Sequence, residues 1–558
     1  MAKVYDEEQS SLPTAVATTG PVTTGLSIKV KELLEREARL NETIDTNLRE
    51  NIDRDPRAVW LLYAFQFFRG LTISLLIPIP AFIGNGEHRG VFMLAHSLLV
   101  GLLPLVGAML ADSYLGKWWT ILVATVSLLA GAVSLTVVSA TGAHTDAAVV
   151  VLYLSLVFTA LGMGFAKPMI EALTGDQFLA VQERGIPRSF SLLYFAFSLG
   201  SMISQHVYRA FMYRYDRSSE GYLIYTPIVA SCSALVLLPI LLIGPRRFRT
   251  VLPMREFVPF KMVKTAVVAV RRFFSASPAE RASMGHWLNF AAKDEGSLFV
   301  QEVHDFGLSM GHVLLPYFFL SALAMHVDYF QDSQMFTFNS TNSPFEFSNP
   351  LWGYDVHIYS VLTLLVFLTF VVYPLMERRG WNVSPHRRFG AASVCALLAF
   401  VLSEITDKIA KDAYTESLLR NLAPTESFTS DTLEDYRQPC PTCPNRWITF
   451  PQLFLLALHS ALAVPAGIQI VYSETGRRLR TLAIVSWLLT EYLARITVQM
   501  RGTTYSVGYA TMHATFSSLG VVGFVLFSVI MRYYTPRKGR TSINEAARQS
   551  REAEYSKL

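Results

Sequence analysis

The stretch GAMLADSYLGKWWTI, residues 107–121, decides the fold class of this chain. It opens in an apolar run, reaches an acid at Asp112 and turns at Gly116, after which Lys117 begins a second apolar run. A short charged break that contains glycine, set between two long apolar runs, is typical of a tight connection between two membrane-spanning helices. This stretch therefore predicts a membrane protein.

The composition of the whole chain supports this prediction. Of 558 residues, 48 are Lys or Arg and 43 are Asp or Glu, so only 16% are charged, whereas 51% are hydrophobic and the mean hydropathy is +0.33. Soluble proteins carry about 25% charged residues. The scarcity of charge excludes a soluble enzyme, a disordered regulator and a coiled coil. The net charge of +5 does not indicate nucleic-acid binding, because basic residues accumulate on the cytoplasmic side of membrane proteins.

Twelve apolar runs with few charges follow one another along the chain, each long enough to cross about 30 Å of hydrocarbon as a helix. The runs lie at 59–84, 90–111, 118–140, 147–167, 189–212, 224–244, 308–330, 357–376, 389–406, 450–473, 481–500 and 508–531. An even number of spans brings both termini to the same side of the membrane. The connecting segments on that side hold most of the basic residues, so both termini are predicted to be cytoplasmic.

A long polar segment divides the predicted spans into two groups of six. The predicted divisions are a cytoplasmic N-terminal tail at 1–57, a first bundle at 58–245, a cytoplasmic linker at 246–307, a second bundle at 308–532 and a cytoplasmic C-terminal tail at 533–558. The N-terminal tail has no apolar region that resembles a signal peptide, so the first span is expected to direct insertion. The predicted fold is an all-α membrane protein with twelve transmembrane helices in two six-helix bundles. A solute site is expected between the bundles, near the bilayer midplane.

Two features fall on the predicted extracytoplasmic side. Asn339 begins a glycosylation acceptor, and Cys440 and Cys443, in a predicted loop at 405–447, are a disulfide candidate with free thiols as the alternative. A zinc site would lack a second cysteine pair, and neither a metal site nor a cofactor is predicted. The expected location is the plasma membrane, with an endolysosomal or vacuolar membrane as the alternative.

Further motifs occur along the chain in a fixed order. They are LGMGFAKPMIEALTGDQF at 161–178, RSFSLLYFAFSLGSMIS at 188–204, YP at 373–374, PAGIQIVYSE at 465–474 and WLLT at 487–490. Together with residues 107–121, these motifs resemble the signatures of the proton-coupled oligopeptide transporter family (PTR or POT) within the major facilitator superfamily. The resemblance covers roughly residues 59–531. It implies a twelve-helix transporter that alternates access and takes up di- and tripeptides, nitrate or related solutes, commonly with protons.

The connection quoted first contains the predicted gating residues, Gly107, Asp112, Gly116 and Lys117. An acid at the lip of one bundle is placed to accept hydrogen bonds from the exposed N–H groups at the start of a helix in the other bundle. Such a contact would act as a latch that breaks when the halves rock. A shorter echo, YPLMERRG at 373–380, occurs at the equivalent connection of the second half.

The first span departs from the family pattern. The resemblance places there two acids and an Arg, followed by a Tyr-Tyr pair. The corresponding residues in this chain are Leu61, Ala64, Phe65, Phe68 and Arg69. The acids that the family is thought to use for proton exchange are therefore missing.

Other positions of the implied solute site also differ. On the fifth span the Asn four residues after Tyr194 is Ser198, and on the tenth span two acids become Ser460 and Gln469. Two members of the family's site, a lysine on the fourth span and a tryptophan on the eleventh, are retained. The predicted substrate-binding residues are Arg69, Lys167, Tyr194, Ser198, Ser460 and Trp487.

Ionisable residues inside apolar spans are costly and tend to be functional. Sequence inspection finds five such residues: Arg69, Lys167, Asp328, Glu491 and Arg495. Glu491 and Arg495 lie four apart on one helix face, so they form an internal ion pair, or Glu491 exchanges protons and switches its partner between Arg495 and Lys167. Proton coupling is assigned to these three residues. Arg69 has no acid within a turn and must meet water, a partner acid or a ligand.

The surviving charges leave the substrate class open. A cavity holding Arg69, Lys167 and Arg495 with only Glu491 has a surplus of two positive charges, which suits an anion, whereas Asp328 as an amino-group receptor would restore a peptide substrate. The prediction is a secondary active transporter of small peptides with proton symport, not an enzyme. The alternatives are transport of nitrate or an organic anion, an uncoupled uniporter, and a non-transporting membrane receptor. The expected partners are the solute, protons and the lipid bilayer, without nucleic acid.

Overall fold

The architecture was obtained from a computed structural model. It describes residues 56–76, 86–141, 146–178, 185–214, 221–244, 248–249, 253–284, 286–295, 297–335, 352–381, 383–421, 445–476, 478–499 and 509–533. The regular elements within these ranges are helices, and none of the described residues forms a β-strand. The prediction of an all-α chain is therefore confirmed.

The first half contains six long helices. They are α1 (Arg57–Leu76), α2 (Gly86–Leu110), α3 (Lys117–Thr141), α4 (Asp146–Asp176), α5 (Gly185–Arg214) and α6 (Gly221–Ile243). A π-helical turn, Ala111–Leu115, extends α2 into the connection with α3. Gly116 ends this turn with φ of 78°, a left-handed conformation that residues with a Cβ rarely adopt.

Helices α1 and α5 approach each other closely through glycine. A Cβ on Gly70 would lie 2.4 Å from the carbonyl oxygen of Phe197, and one on Gly200 would lie 2.1 Å from the carbonyl oxygen of Phe67. Small residues at a membrane helix interface let the two backbones pack directly. This contact fixes α1, which carries Arg69, against α5, which carries Tyr194 and Ser198.

The connection between the halves is also helical. Its elements are α7 (Val258–Ser275), α8 (Pro278–Met284), a 3₁₀ turn (Trp287–Ala291), α9 (Ala292–Glu295) and α10 (Ser297–Ser309). The start of α7 is tied to the α2–α3 connection, because the Val258 N–H donates to Ser113 Oγ at 3.0 Å and the Met254 N–H donates to the Asp112 carbonyl at 3.0 Å.

The second half continues from α10 through a π-helical turn (Met310–Leu314). Its helices are α11 (Leu315–Met335), α12 (Trp352–Phe367), α13 (Tyr373–Arg378), α14 (Pro385–Asn421), α15 (Phe450–Glu474), α16 (Arg480–Gln499) and α17 (Tyr509–Tyr533). A second π turn (Leu368–Val372) joins α12 to α13, and a 3₁₀ turn (Arg446–Thr449) precedes α15. Aromatic packing forms the core here: Trp487 is 0% exposed and stacks on Tyr317 with ring centroids 3.6 Å apart.

Nine stretches of the described helices are long and apolar enough to cross a membrane. The predicted spans at 189–212, 308–330 and 481–500 also form helices, although they fall outside those nine because of their polar content or their length. The predicted loop at 405–447 begins as helix, since α14 continues to Asn421, and its extracytoplasmic location stays a prediction. Residues 407–421 lack Gly and Pro and include several strong helix formers, so nothing in the sequence ends the helix at the membrane surface.

Candidate functional site

The predicted latch residue Asp112 contacts the second half. Its carboxylate accepts a hydrogen bond from the Leu482 N–H at 3.3 Å, in the first turn of α16. The first N–H groups of a helix lack intrahelical partners and carry a partial positive charge, which a carboxylate complements. Gly107 supports the arrangement from α2, because a Cβ there would lie 2.9 Å from the Phe165 ring of α4.

A polar network surrounds this contact. Lys117 forms an ion pair with Asp176 at the end of α4, and the two side chains are 5% and 2% exposed. Asp176 also accepts a hydrogen bond from the Tyr472 hydroxyl at 3.1 Å and lies 3.5 Å from the Arg480 guanidinium. Arg480 in turn donates to the Tyr472 hydroxyl at 2.8 Å and packs 4.1 Å from the centroid of its ring. This cluster, Asp112–Lys117–Asp176–Tyr472–Arg480, joins the two halves at one end and is called the α4–α16 closure below.

Sequence reasoning found only the first-half side of the α4–α16 closure, namely Asp112 and Lys117. Asp176 lies within the quoted motif at 161–178, and Tyr472 lies within the motif at 465–474. The motifs therefore contained the signal, but the pairing of residues 296 apart in sequence requires the fold.

The opposite end of the bundle has a second contact between the halves. Arg209 on α5 binds Asp355 on α12 through both guanidinium nitrogens, one of them at 2.6 Å, and the side chains are 10% and 7% exposed. One turn away along each helix, His206 hydrogen-bonds the Tyr359 hydroxyl. This pairing, the α5–α12 closure, was missed because charges near span ends were treated as membrane-surface residues.

Arg69 lies between these two ends and is 3% exposed. Its Nη2 donates to the Met163 carbonyl at 2.9 Å, its Nη1 lies 3.4 Å from Gln66 Oε1, and the Phe197 ring packs 5.5 Å away. Its Nε has no hydrogen-bond partner among the described residues. Arg69 also interacts electrostatically with Glu171 of α4.

Glu171 corrects the list of five ionisable residues in the spans. It is 3% exposed on α4, one turn from Lys167, and it interacts electrostatically with Lys167, Arg69 and Glu491. Its Oε2 is buried without a hydrogen-bond partner within the described ranges. Sequence reasoning passed over this acid although it stands in the motif at 161–178. The charge it adds reduces the formal surplus from two to one.

Glu491 is half-buried on α16 and acts electrostatically on groups from both halves. These groups are Glu171, Tyr194, Tyr317 and His459. The predicted partner Arg495 and the alternative amino-group receptor Asp328 lie on described helices, but their side chains are outside the described set. The central cluster is therefore defined here as Arg69, Lys167, Glu171 and Glu491.

The other predicted substrate-binding residues have separate contacts. The Tyr194 hydroxyl hydrogen-bonds Ser198 one turn along α5, and Tyr194 also interacts electrostatically with Glu491. The Ser460 hydroxyl donates to its own helix, at the Leu456 carbonyl, 3.1 Å away. Trp487 is enclosed by aromatic rings, and its indole N–H has no partner among the described residues. The substrate roles of these residues remain predictions.

Three predicted residues lie outside the described ranges: Asn339, Cys440 and Cys443. Within the described part of the chain, no group of three or more His, Cys, Asp or Glu residues has the arrangement of a metal site.

Known proteins that are similar to this chain belong to the family that its motifs resemble. A family model described as "PTR2: POT family" matches residues 118–309. Peptide transporter family 1 of Drosophila melanogaster is 27% identical over 369 residues, covering 62% of this chain and 47% of that protein. Solute carrier family 15 member 1 of Canis lupus familiaris is 25% identical over 378 residues, covering 63% of this chain and 52% of that protein. The chain thus spans about half the length of the curated relatives it matches.

Solved structures share the fold. The POT family transporter PepTSo aligns with 86% of this chain and 99% of its own, with a TM-score of 0.54 and 18% sequence identity. These comparisons confirm that the chain resembles the POT family, as its motifs indicated. The shared fold confirms the predicted all-α architecture of a membrane protein. The family is one of transporters, and the chain is a multi-pass membrane protein.

Proposed function

We propose that this protein is a secondary active transporter that moves small peptides by alternating access, with proton coupling through Glu171 and Glu491. The observation that carries the proposal is Glu171, a buried acid whose Oε2 has no partner among the described residues and which interacts with Lys167, Arg69 and Glu491. Peptide is the proposed substrate because the Drosophila relative is named a peptide transporter.

The charges of the central cluster suit a zwitterion. A peptide needs an acid for its ammonium group and a base for its carboxylate. Glu171 and Glu491 provide two acids where the first-span acids of the family are absent, and Arg69 and Lys167 provide bases. The described bases of the cluster, Arg69 and Lys167, are available to the substrate carboxylate.

Protonation of Glu171 or Glu491 supplies the coupling. An ionised Glu171 attracts Lys167, which lies one turn away on the same helix. A proton on the acid removes that attraction and releases the lysine to meet the substrate carboxylate. Proton and peptide would then occupy the cluster together, which is the requirement for symport.

Alternating access follows from the two closures at opposite ends. Each consists of charged groups contributed by both halves, so each opens by separating them. Opening of the α4–α16 closure admits solute from the predicted cytoplasmic side, and opening of the α5–α12 closure admits it from the other side. The substrate site stays between the two.

The test is uptake of a labelled dipeptide by the full-length protein in liposomes. An imposed proton gradient should drive accumulation, and Glu171→Gln and Glu491→Gln should each abolish accumulation while leaving exchange of dipeptide intact. Glu256→Gln is the matched control, since Glu256 is an exposed linker acid whose side chain is 58% exposed. If dipeptide uptake by the unmodified protein is the same with and without the proton gradient, the protein is a uniporter.

An anionic solute is the second candidate. The unpartnered Nε of Arg69 favours it. Thermal stabilisation of the purified protein by dipeptides, nitrate and organic anions separates the two, because a ligand that binds only the folded state raises Tm. Stabilisation by dipeptides alone rejects the anion, and stabilisation by anions alone rejects the peptide.

The topology is proposed with cytoplasmic termini in the plasma membrane, with an endolysosomal or vacuolar membrane as the alternative. Glycosylation at Asn339 would place that loop outside the cytoplasm. An Asn339→Gln variant that migrates faster in a denaturing gel supports this orientation. Equal migration together with protease-sensitive termini on intact cells would reverse it.

A further inference from the structure

A cavity of about 640 Å³ lies between α13, α14 and α15, away from the central cluster. Its lining combines apolar and basic groups, including Leu368, Val372, Tyr373, Arg387, Arg388 and Leu462. A volume of this size is typical of small-molecule sites. Nothing in the proposed transport cycle uses it.

Arg388 is the buried cation of this cavity and is 5% exposed. Its guanidinium donates to the Gln469 side chain and lies 5.2 Å from the centroid of the Tyr373 ring. Its Nε is buried without a hydrogen-bond partner among the described residues. No carboxylate of the described chain lies within ion-pair distance, and Glu377, an exposed acid of α13, acts on it only from farther away.

The missing counter-charge follows from the sequence. Gln469, the side chain that Arg388 contacts, is neutral and stands where the family resemblance places an acid. A buried guanidinium without an anion is costly. A cavity beside such a group therefore favours an anionic occupant.

The surroundings of the cavity favour an amphiphile over a free ion. Ala391, which lines it, is exposed on the protein surface, and the neighbouring Phe370 and Val371 are 52% and 49% exposed. Trp381 at the turn is 58% exposed, as is common for aromatic residues at the membrane interface. The cavity thus opens among apolar side chains on a surface that meets lipid.

We propose that this cavity binds an anionic phospholipid, with its phosphate group at Arg388 and an acyl chain along Leu368, Val372 and Leu462. Basic pockets between transmembrane helices on the cytoplasmic side of a membrane bind the head groups of anionic lipids, and Arg388 lies at the predicted cytoplasmic end of α14. The lipid phosphate supplies the anionic partner that the neutral Gln469 side chain does not provide. The site is independent of the transported solute.

Thermal unfolding of the full-length protein in detergent tests the site. The probes are phosphatidylglycerol, phosphatidylcholine with the same acyl chains, and inorganic phosphate. Phosphatidylglycerol is expected to raise Tm, whereas the other two leave it unchanged. An equal shift with phosphatidylcholine would overturn the anion requirement, and an equal shift with inorganic phosphate would assign the site to a free anion and overturn the lipid.

Two substitutions report on the counter-charge. Gln469→Glu restores an internal partner for Arg388, so it should raise Tm without lipid and abolish the shift caused by phosphatidylglycerol. Arg379→Gln, on the exposed turn outside the lining, is the control and should keep the full shift. A Gln469→Glu protein that keeps the full shift would overturn the proposal.

A third substitution avoids changing a packed side chain. Ala391→Trp starts from an exposed position and fills the mouth of the cavity. It should remove the phosphatidylglycerol shift while leaving dipeptide uptake driven by a proton gradient in place. Retention of the lipid shift would show that the lipid binds elsewhere.

Discussion

Arg209 and Asp355 form a buried ion pair between helices from different halves, and each neutralises the other. Removal of one partner strands a charge that water reaches poorly, which typically costs about 3 to 5 kcal/mol. Arg209→Met or Asp355→Leu alone should therefore lower the stability of the purified protein by about that amount. The double variant should lose much less, because no charge is left unpaired.

These variants form a double-mutant cycle. The free energy of unfolding is measured for the unmodified protein, the two single variants and the double variant. Losses that simply add would show that the two charges do not interact across the halves. Lys261 and Glu256, 2.7 Å apart in the linker with the acid 58% exposed, are the control, since pairs that water reaches contribute about 0 to 1 kcal/mol.

Helix packing between α1 and α5 depends on the absence of a side chain at Gly200. A methyl group there would meet the Phe67 backbone, which cannot rotate away, so Gly200→Ala should destabilise the protein by about 1 to 3 kcal/mol. Gly311→Ala is the matched control, because nothing lies within 4 Å of its Cβ position. It should be neutral or stabilising, since Ala favours a helix over Gly by about 1 kcal/mol. Equal Tm values for the two variants would contradict close packing of α1 and α5.

The linker contains a pH-sensitive turn. Partial burial and the neighbouring His304, whose ring centroid is 4.3 Å away, lower the pKa of His286, and its neutral Nδ1 accepts from the Leu288 N–H at 3.3 Å. A histidine whose pKa is lowered by folding stabilises the fold above its unfolded pKa of about 6.5, and this stability is lost as pH falls. The protection factors for hydrogen exchange at residues 287–291, which are corrected for the intrinsic exchange rate, should therefore fall below about pH 6.5.

A His286→Asn variant separates titration from capping in that turn. Asn also accepts a hydrogen bond from the helix start, but it does not titrate. Its exchange rates at 287–291 should follow only the intrinsic pH dependence of amide exchange. If the unmodified protein behaves like this variant, His286 does not control the turn.

The helices were predictable from the sequence because a long apolar run indicates a membrane span. The contacts between side chains of different helices were not predictable in this way. The Asp112 carboxylate does contact the start of a helix in the other half, as its motif indicated, while its role in gating stays a prediction. Glu171 was not among the predicted ionisable residues of the spans because the predicted fourth span ended at residue 167, whereas α4 continues to Asp176. Arg209 and Asp355 are 146 residues apart, and only the fold shows that they meet. The end of α14 at Asn421 was missed because a helix can continue into water.

At the scale of the whole molecule, the two closures are both formed in the described structure, and opening either one requires the halves to move. Asp176→Asn weakens the α4–α16 closure, and Asp355→Asn weakens the α5–α12 closure. Ser198→Cys, buried on α5 at 3% exposure, reports which side reaches the centre. The background for this experiment replaces the four native cysteines with alanine.

Labelling of intact cells with an impermeant maleimide should change in opposite directions in these two variants. Asp355→Asn should accelerate labelling of Ser198→Cys several-fold, because the predicted extracytoplasmic end opens more often. Asp176→Asn should slow it, because the molecule spends more time open to the cytoplasm. Changes in the same direction would refute two opposed closures in this arrangement.

Lys167 and Glu171 occupy successive turns of α4 and share one electrostatic neighbourhood with Arg69 of α1. The acid thus stands on α4, whereas the family resemblance implies acids on the first span, and it acts on Arg69 of that first span. In such a bundle, an acid on one helix can serve a base on its neighbour. When the role of a charged residue is assigned from one distant transporter to another, its position in the structure is therefore a better guide than its position in a sequence alignment.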